Sequence, residues 1–210
     1  MATPSDDTDH RYALVQDRFP RSLTLADGQE IALGLMGQSD RDRVMEFAAS
    51  IPADDLLYLR NDITDPAVID AWLSRIELHR TITIIATSNG RVIGTGSVTH
   101  SETNWTRHIG DIQVVVNPDG RGQGLGRHLA EELFILAEIF GLDRLAARMT
   151  TDQIAATRVF ESLGFEPVAT LPGFVIDRDG AYRDLLVMAY DVRRRGAPAP
   201  ENHESAESAD

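Results

Sequence analysis

Residues 111–140, DIQVVVNPDGRGQGLGRHLAEELFILAEIF, constrain this chain more than any other stretch. Ile112 and the run Val114, Val115, Val116 mark a strand covered on both faces, because β-branched residues without alternation suit a buried sheet. Asn117-Pro118-Asp119-Gly120 ends that strand, since Pro118 brings no N–H to a ladder and Asn, Asp and Gly favour turns. Arg121-Gly122-Gln123-Gly124-Leu125-Gly126-Arg127 follows. Leu125, Leu129, Leu133, Leu136 and Phe140 then recur every three or four residues, which predicts a helix beginning near Gly124. Glycines at a helix start let backbone N–H groups come close to a ligand. Those unpaired donors and the helix dipole favour an anion, most often phosphate.

The type of phosphate loop follows from its spacing. A Walker A loop ends in Gly-Lys-Ser/Thr, and this chain has Gly126-Arg127-His128. A dinucleotide fingerprint needs G-x-G-x-x-G, and these glycines stand at 122, 124 and 126. The pattern that fits is Arg/Gln-x-x-Gly-x-Gly/Ala, supplied by Arg121, Gly124 and Gly126. Here the chain resembles the GNAT superfamily of acyl-CoA-dependent N-acetyltransferases. The resemblance implies that Arg121 to Arg127 hold the pyrophosphate of coenzyme A, while Val114, Val115 and Val116 pair with its pantetheine arm.

Composition narrows the class. A chain of 210 residues is long enough for one domain with a sizeable core. It has no cysteine, so disulfides, thiolate metal sites and cysteine nucleophiles are excluded. The net charge of −13 argues against non-specific nucleic-acid binding and is compatible with cationic acceptors. The first twenty residues lack an apolar signal core and no run of 18 apolar residues occurs, so a cytoplasmic protein without membrane contact is expected. The histidines show no paired metal spacing, and no G-x-S-x-G elbow occurs. Asp177 to Gly180 resembles the start of a calcium loop, but the remaining ligands are absent and a hairpin turn explains it.

The rest of the chain is punctuated clearly. Residues 1–22 are polar and predict a flexible segment. Leu23-Thr24-Leu25 and Glu30 to Leu35 flank Asp27-Gly28 as a hairpin. Ser39 is placed to cap a helix reaching Ala49, and Asp65-Pro66 opens another carrying Ile69, Trp72, Leu73 and Ile76. Thr81 to Thr87 and Arg91 to Thr99 pair across Asn89-Gly90, with Gly94 and Gly96 suggesting a bulge. Arg144 to Met149 reads as a strand, and Thr150 to Gln153 as a capping box before a helix that Gly164 ends. Phe165 to Leu171 and Asp184 to Asp191 are the last strands. Residues 193–210 predict a disordered tail.

This order predicts an α/β fold: a mixed, mostly antiparallel sheet of about seven strands with about four helices. It agrees with the GNAT fold that the resemblance implies over residues 23–192, in which strands four and five splay apart to admit coenzyme A. The segments around Asp27-Gly28 and Gly180-Ala181-Tyr182-Arg183-Asp184 are loosely similar to bacterial protein lysine acetyltransferase domains.

The resemblance also assigns candidates. Gln153, Ala156 and Phe160 occupy the family's N-x-x-A-x-x-x-Y positions beside the coenzyme. In many members that tyrosine protonates the departing thiolate, which Phe160 cannot do. Asp111 stands where relatives often carry a general-base glutamate, and His108 is a second candidate base because histidine titrates near neutrality. Trp105, Arg107 and Tyr182 are candidates for the acceptor pocket. Acetyl transfer from acetyl-CoA to a primary amine, without a metal, is the implied reaction. The acceptor is a small amine or a protein lysine, and a homodimer is left open. A coenzyme A-binding sensor that has lost turnover is the alternative.

Overall fold

The computed structural model describes residues 4–56, 59–100, 103–177 and 179–194. The first helix, α1 (Pro4–Arg18), leads into the hairpin β1 (Arg21–Thr24) and β2 (Glu30–Leu35). Helices α2 (Arg41–Ser50), α3 (Ala53–Leu56) and α4 (Pro66–Glu77) come next, followed by β3 (Thr81–Ser88), β4 (Arg91–His100) and β5 (Ile109–Val116). Then come α5 (Leu125–Ile139), β6 (Arg144–Thr150), α6 (Ile154–Ser162), β7 (Glu166–Ile176) and β8 (Tyr182–Asp191).

All eight strands form one sheet in the order β1-β2-β3-β4-β5-β6-β8-β7. The predicted count of seven is one short because both arms of the first hairpin pair fully, Arg21 with Leu33 through Thr24 with Glu30. Every neighbour is antiparallel except β5 and β6. Those two are parallel and pair only from Ile109 with Arg144 to Ile112 with Ala147. Beyond that point β5 stays with β4 through Val116, and β6 stays with β8 through Thr150, so the sheet opens between them. This is the predicted splay, at the fourth and fifth strands of the seven-strand count.

Two cores lie on opposite faces. One gathers α5 with Ile84, Val98, Ile112 and Leu145 of the sheet. The other joins α2 and α4 through Val44, Phe47, Ile69 and Leu73 to Ile85 and Val92. Gly94 and Gly96 let α5 lie close on β4: a Cβ on Gly94 would come within 3.2 Å of Leu125 and Leu129. The bulge skips Ile93 of β4, because Ala86 faces Gly94 while Thr87 faces Val92.

Three local expectations are corrected. The segment 1–22 contains α1 rather than only flexible chain. Its Val15 is fully buried, and Arg18 and Arg21 both bind the buried Glu132 of α5, at 2.7 and 2.6 Å. Tertiary contact makes this helix, since its own sequence is polar and only weakly amphipathic. Ser39 does not cap α2; it lies in a 3₁₀ turn ended by Asp40, whose carboxylate accepts from Gly37 N–H at 3.0 Å. With α1 and the short α3, the α-helices number six among the described residues, against the four expected. Asp65 caps α4 as predicted, accepting from Ala67 N–H at 2.9 Å. The tail beyond 194 lies outside the described residues, and no helix among those described is long and apolar enough to cross a membrane.

Candidate active site

A groove of about 720 Å³ runs along the α5 side of the opened sheet. Its base is the 3₁₀ turn Pro118–Gly120, held by the Asn117 side chain, which accepts from Gly120 N–H at 3.2 Å. The loop then turns through Gly122 and Gly124, both left-handed at φ +73° and +89°. That conformation needs glycine and lets α5 start abruptly at Leu125, with its first-turn N–H groups directed out of the helix. Val114, Val116, Arg121, Gly122, Gly124, Leu125, Gly126, Arg127, Gln153, Ala156 and Phe160, the coenzyme candidates, line the groove. Val115 and Gln123 do not. Alternation along β5 turns Val115 to the opposite face, where it packs against the α2–α4 core. Asp55 of α3 and Ile154 and Val159 of α6 also line the groove, and sequence reasoning missed them. Arg121 is engaged on arrival: Nε donates to the Val116 carbonyl at 3.0 Å, and its second nitrogen pairs with Asp55 at 2.7 Å.

The gap between β5 and β6 is a narrow passage lined by Gln113, Val114, Ala147, Met149, Gln153 and Phe160, with Arg60 and Arg148 at its side. Phe160 is buried, and its ring meets Phe165 edge-on at 5.1 Å, so it closes the wall of the gap with carbon. The predicted capping box forms only in half. The Gln153 side chain accepts from Thr150 N–H at 3.0 Å, but Gln153 itself precedes α6 and so does not sit in its third position. Its amide ties the end of β6 to the start of α6, beside the groove.

On the opposite face lies a second cavity, of about 210 Å³. Val68, Trp72 and Arg75 of α4 cover it. Thr81 of β3, Thr95, Ser97 and Thr99 of β4, and Asp111, Gln113 and Val115 of β5 form its floor, and Arg60 its edge. Asp111 pairs with Arg60 at 3.4 Å and with Arg148 across the gap, and Arg60 also donates to the Ile112 carbonyl at 3.3 Å. Arg60, Arg75 and the hydroxyl row were missed in the sequence. The row was visible as Thr95, Ser97 and Thr99 at period two, on a strand whose other face carries Gly94 and Gly96.

Four predicted residues are not brought to either cavity. Trp105 is 85% exposed and Tyr182 72% exposed, each at the outer end of its hairpin or turn. Arg107 turns back to the Asn104 carbonyl at 2.8 Å. His108 is exposed, and its carbonyl accepts from Asp143 and Arg144 N–H, which places it at the closed end of the β5–β6 pair. The gap opens four residues further along. Among the described residues no cluster of three or more histidine and carboxylate side chains gathers as a metal site.

The model of the acetyltransferase (GNAT) family matches residues 46–165, from within α2 to the end of the α6 turn. The chain belongs to that family. It is 30% identical over 129 residues to the L-amino acid N-acyltransferase MnaT of Escherichia coli, covering 61% of this chain and 74% of that protein. A Salmonella typhimurium L-methionine sulfoximine/L-methionine sulfone acetyltransferase is 28% identical over 129 residues, 61% of this chain and 75% of that one. The solved structure of yncA from Salmonella typhimurium, described with its cofactor acetyl-CoA, superposes with a TM-score of 0.67 at 24% identity, over 81% of this chain and 99% of that one. This GNAT enzyme therefore has the family fold, with the loop Arg121–Arg127 at the mouth of the sheet opening. It departs from the family's tyrosine at Phe160 and from its asparagine at Gln153.

Proposed function

We propose that this enzyme transfers an acetyl group from acetyl-CoA to the α-amine of a small amino acid or amino-acid-like amine. One observation carries the reading: a small cavity holding Arg60, Arg75 and Asp111 shares Arg60 and Gln113 with the β5–β6 gap, which shares Val114, Gln153, Ala156 and Phe160 with the donor groove. Two guanidiniums suit an acceptor carboxylate, and a carboxylate suits its ammonium. The relatives named for L-amino acids and methionine derivatives support the same class of acceptor. A cavity covered by α4 favours a free small molecule over a protein lysine.

The reaction follows from this placement. Acetyl-CoA lies along the groove, its pyrophosphate on the N–H groups of the loop and its arm beside Val114 and Val116. The acceptor carboxylate draws Arg60 away from Asp111, which frees an Asp111 oxygen to take a hydrogen bond from the ammonium. Asp111 removes the amine proton, directly or through one water. The nitrogen attacks the thioester carbonyl, whose oxygen is polarised by a β5 backbone N–H left unpaired by the splay. The C–N bond forms, the nitrogen loses its second proton to solvent, the C–S bond breaks, and coenzyme A leaves as a thiolate. Phe160 has no proton to give, so that thiolate is protonated by solvent. A cytoplasmic setting goes with this reading.

The test is thiol release with a panel of L-amino acids and lysine peptides, beside thermal stabilisation by acetyl-CoA of about 2.7 kcal/mol at a hundredfold excess over Kd. Release with free amino acids is expected. Release with lysine peptides alone would overturn the acceptor class. Phe160 favours one other reading, a coenzyme A-binding sensor without turnover: acetyl-CoA stabilisation with no thiol release from any amine would establish it.

A further inference from the structure

The floor of the acceptor cavity has a direction. Trp72 Nε1 donates to Thr83 Oγ1 at 2.9 Å, and Thr83 Oγ1 lies 3.0 Å from Ser97 Oγ. An indole N–H is a donor only, so it occupies one lone pair of the threonine oxygen. Thr83 is buried, and among the described residues its hydroxyl has these two partners and no others. Its proton therefore has one acceptor within reach, Ser97 Oγ. Ser97 accepts that proton, and its own O–H finds no further protein acceptor among the described residues. Ser97 lines the cavity. The neighbouring pair, Thr81 and Thr99, lies 3.0 Å apart, and either hydroxyl can be its donor, so that pair has no set direction. The relay Trp72 to Thr83 to Ser97 thus delivers one oriented donor to the cavity floor.

We propose that Ser97 is a specificity-determining residue, reading a hydrogen-bond-accepting oxygen at the far end of the acceptor's side chain, with Trp72 and Thr83 as its positioning residues. Carbonyl and sulfonyl oxygens belong to the class it accepts. An apolar side chain of the same shape would leave the Ser97 O–H buried and unsatisfied, and such groups are discriminated against strongly. This inference rests on the proposed amino-acid acceptor.

The experiment compares kcat/KM within two shape-matched pairs, L-asparagine against L-leucine and L-threonine against L-valine, and within a third pair that differs by two sulfonyl oxygens, L-methionine sulfone against L-methionine. The wild-type enzyme is expected to favour the polar member of at least one pair by about tenfold or more. Ser97→Ala should bring that ratio close to one, and Ser97→Thr should restore it. Trp72→Phe should also lower it, because Thr83 then loses the N–H that fixes its rotamer and holds its proton on Ser97. Stabilisation by acetyl-CoA shows that each variant is folded; if Ser97→Ala fails that check, Trp72→Phe decides. A ratio unchanged in the deciding variant, or a wild-type enzyme that acetylates both members of every pair equally, overturns the role of Ser97 and leaves the amino-acid acceptor standing. If acetyl-CoA binds and no amino acid is acetylated, the acceptor class fails and this inference fails with it.

Discussion

Asp55 and Arg121 meet inside the donor groove, the carboxylate oxygen 2.7 Å from the guanidinium that the loop presents to an anion. Both side chains are partly open to solvent, 35% and 45%, so the pair contributes little to stability, at most about 1 kcal/mol. Its consequence lies in binding. In the proposed reading, the pyrophosphate takes Arg121 from Asp55 and then sits near an uncompensated carboxylate. Asp55→Asn should tighten acetyl-CoA binding by roughly fivefold, a gain that shrinks as salt is raised, whereas Arg121→Gln should weaken it. Calorimetric titration at two ionic strengths checks both. Weaker binding by Asp55→Asn would show that Asp55 supports the bound state.

Gly126 and Gly124 differ in what a side chain would do. Gly126 has an ordinary helical backbone, and a Cβ there would approach Val116 and Val114 at 3.8 and 4.0 Å, on the groove wall. Gly124 meets nothing within 4 Å but holds φ +89°. Gly126→Val should therefore abolish stabilisation by acetyl-CoA with little effect on the unliganded melting temperature. Gly124→Val should also lower that temperature, by the equivalent of about 1–2 kcal/mol of backbone strain. Equal melting temperatures for the two unliganded variants would contradict the difference in strain.

Asp111 lines the cavity under α4, the proposed acceptor site, and His108 does not. Asp111→Asn is expected to lower kcat by about 10²–10⁴ with little change in acetyl-CoA affinity, the range of a lost general base. The loss should narrow at high pH, where more of the amine arrives neutral. His108→Gln should keep nearly full activity. The reverse outcome would assign the base to His108.

Tyr12 of α1 is stacked on His79 with ring centroids 3.8 Å apart, and its buried hydroxyl has no hydrogen-bond partner among the described residues. Burial raises its pKa above the ordinary value of 10.0. Above that pH the unfolded chain releases the phenolic proton and the folded protein keeps it. The folded state therefore binds more protons, and stability falls as pH rises. Tyr12→Phe should leave the protein as stable or slightly more stable at pH 7, and should flatten the decline above pH 10. Denaturant midpoints across that range measure it, and a steeper alkaline decline in the variant would count against this assignment.

The strand Ile109–Val116, the helix from Leu125 and the loop glycines between them were all legible in the chain, because each depends on neighbours a few residues away. A run of β-branched residues, a turn at Pro118 and leucines at helical spacing act locally, and their anion-binding end follows from backbone chemistry alone. The capping by Asp65 and the hairpin at Asn89-Gly90 were legible for the same reason. Helix α1 was not, since its order comes from Val15 and the pairing of Arg18 and Arg21 with Glu132, more than a hundred residues away. The cavity under α4 was hidden likewise. Arg60, Arg75, Ser97 and Asp111 carry no common spacing, and they meet only because α4 folds across β3, β4 and β5. Trp105, Arg107, His108 and Tyr182 looked near the candidate site in the chain yet line neither cavity: the first three precede β5 at the end where it pairs with β6, and Tyr182 sits exposed near the tip of the β7–β8 hairpin. Backbone periodicity is written in consecutive residues, whereas which side chains share a cavity depends on contacts between distant segments.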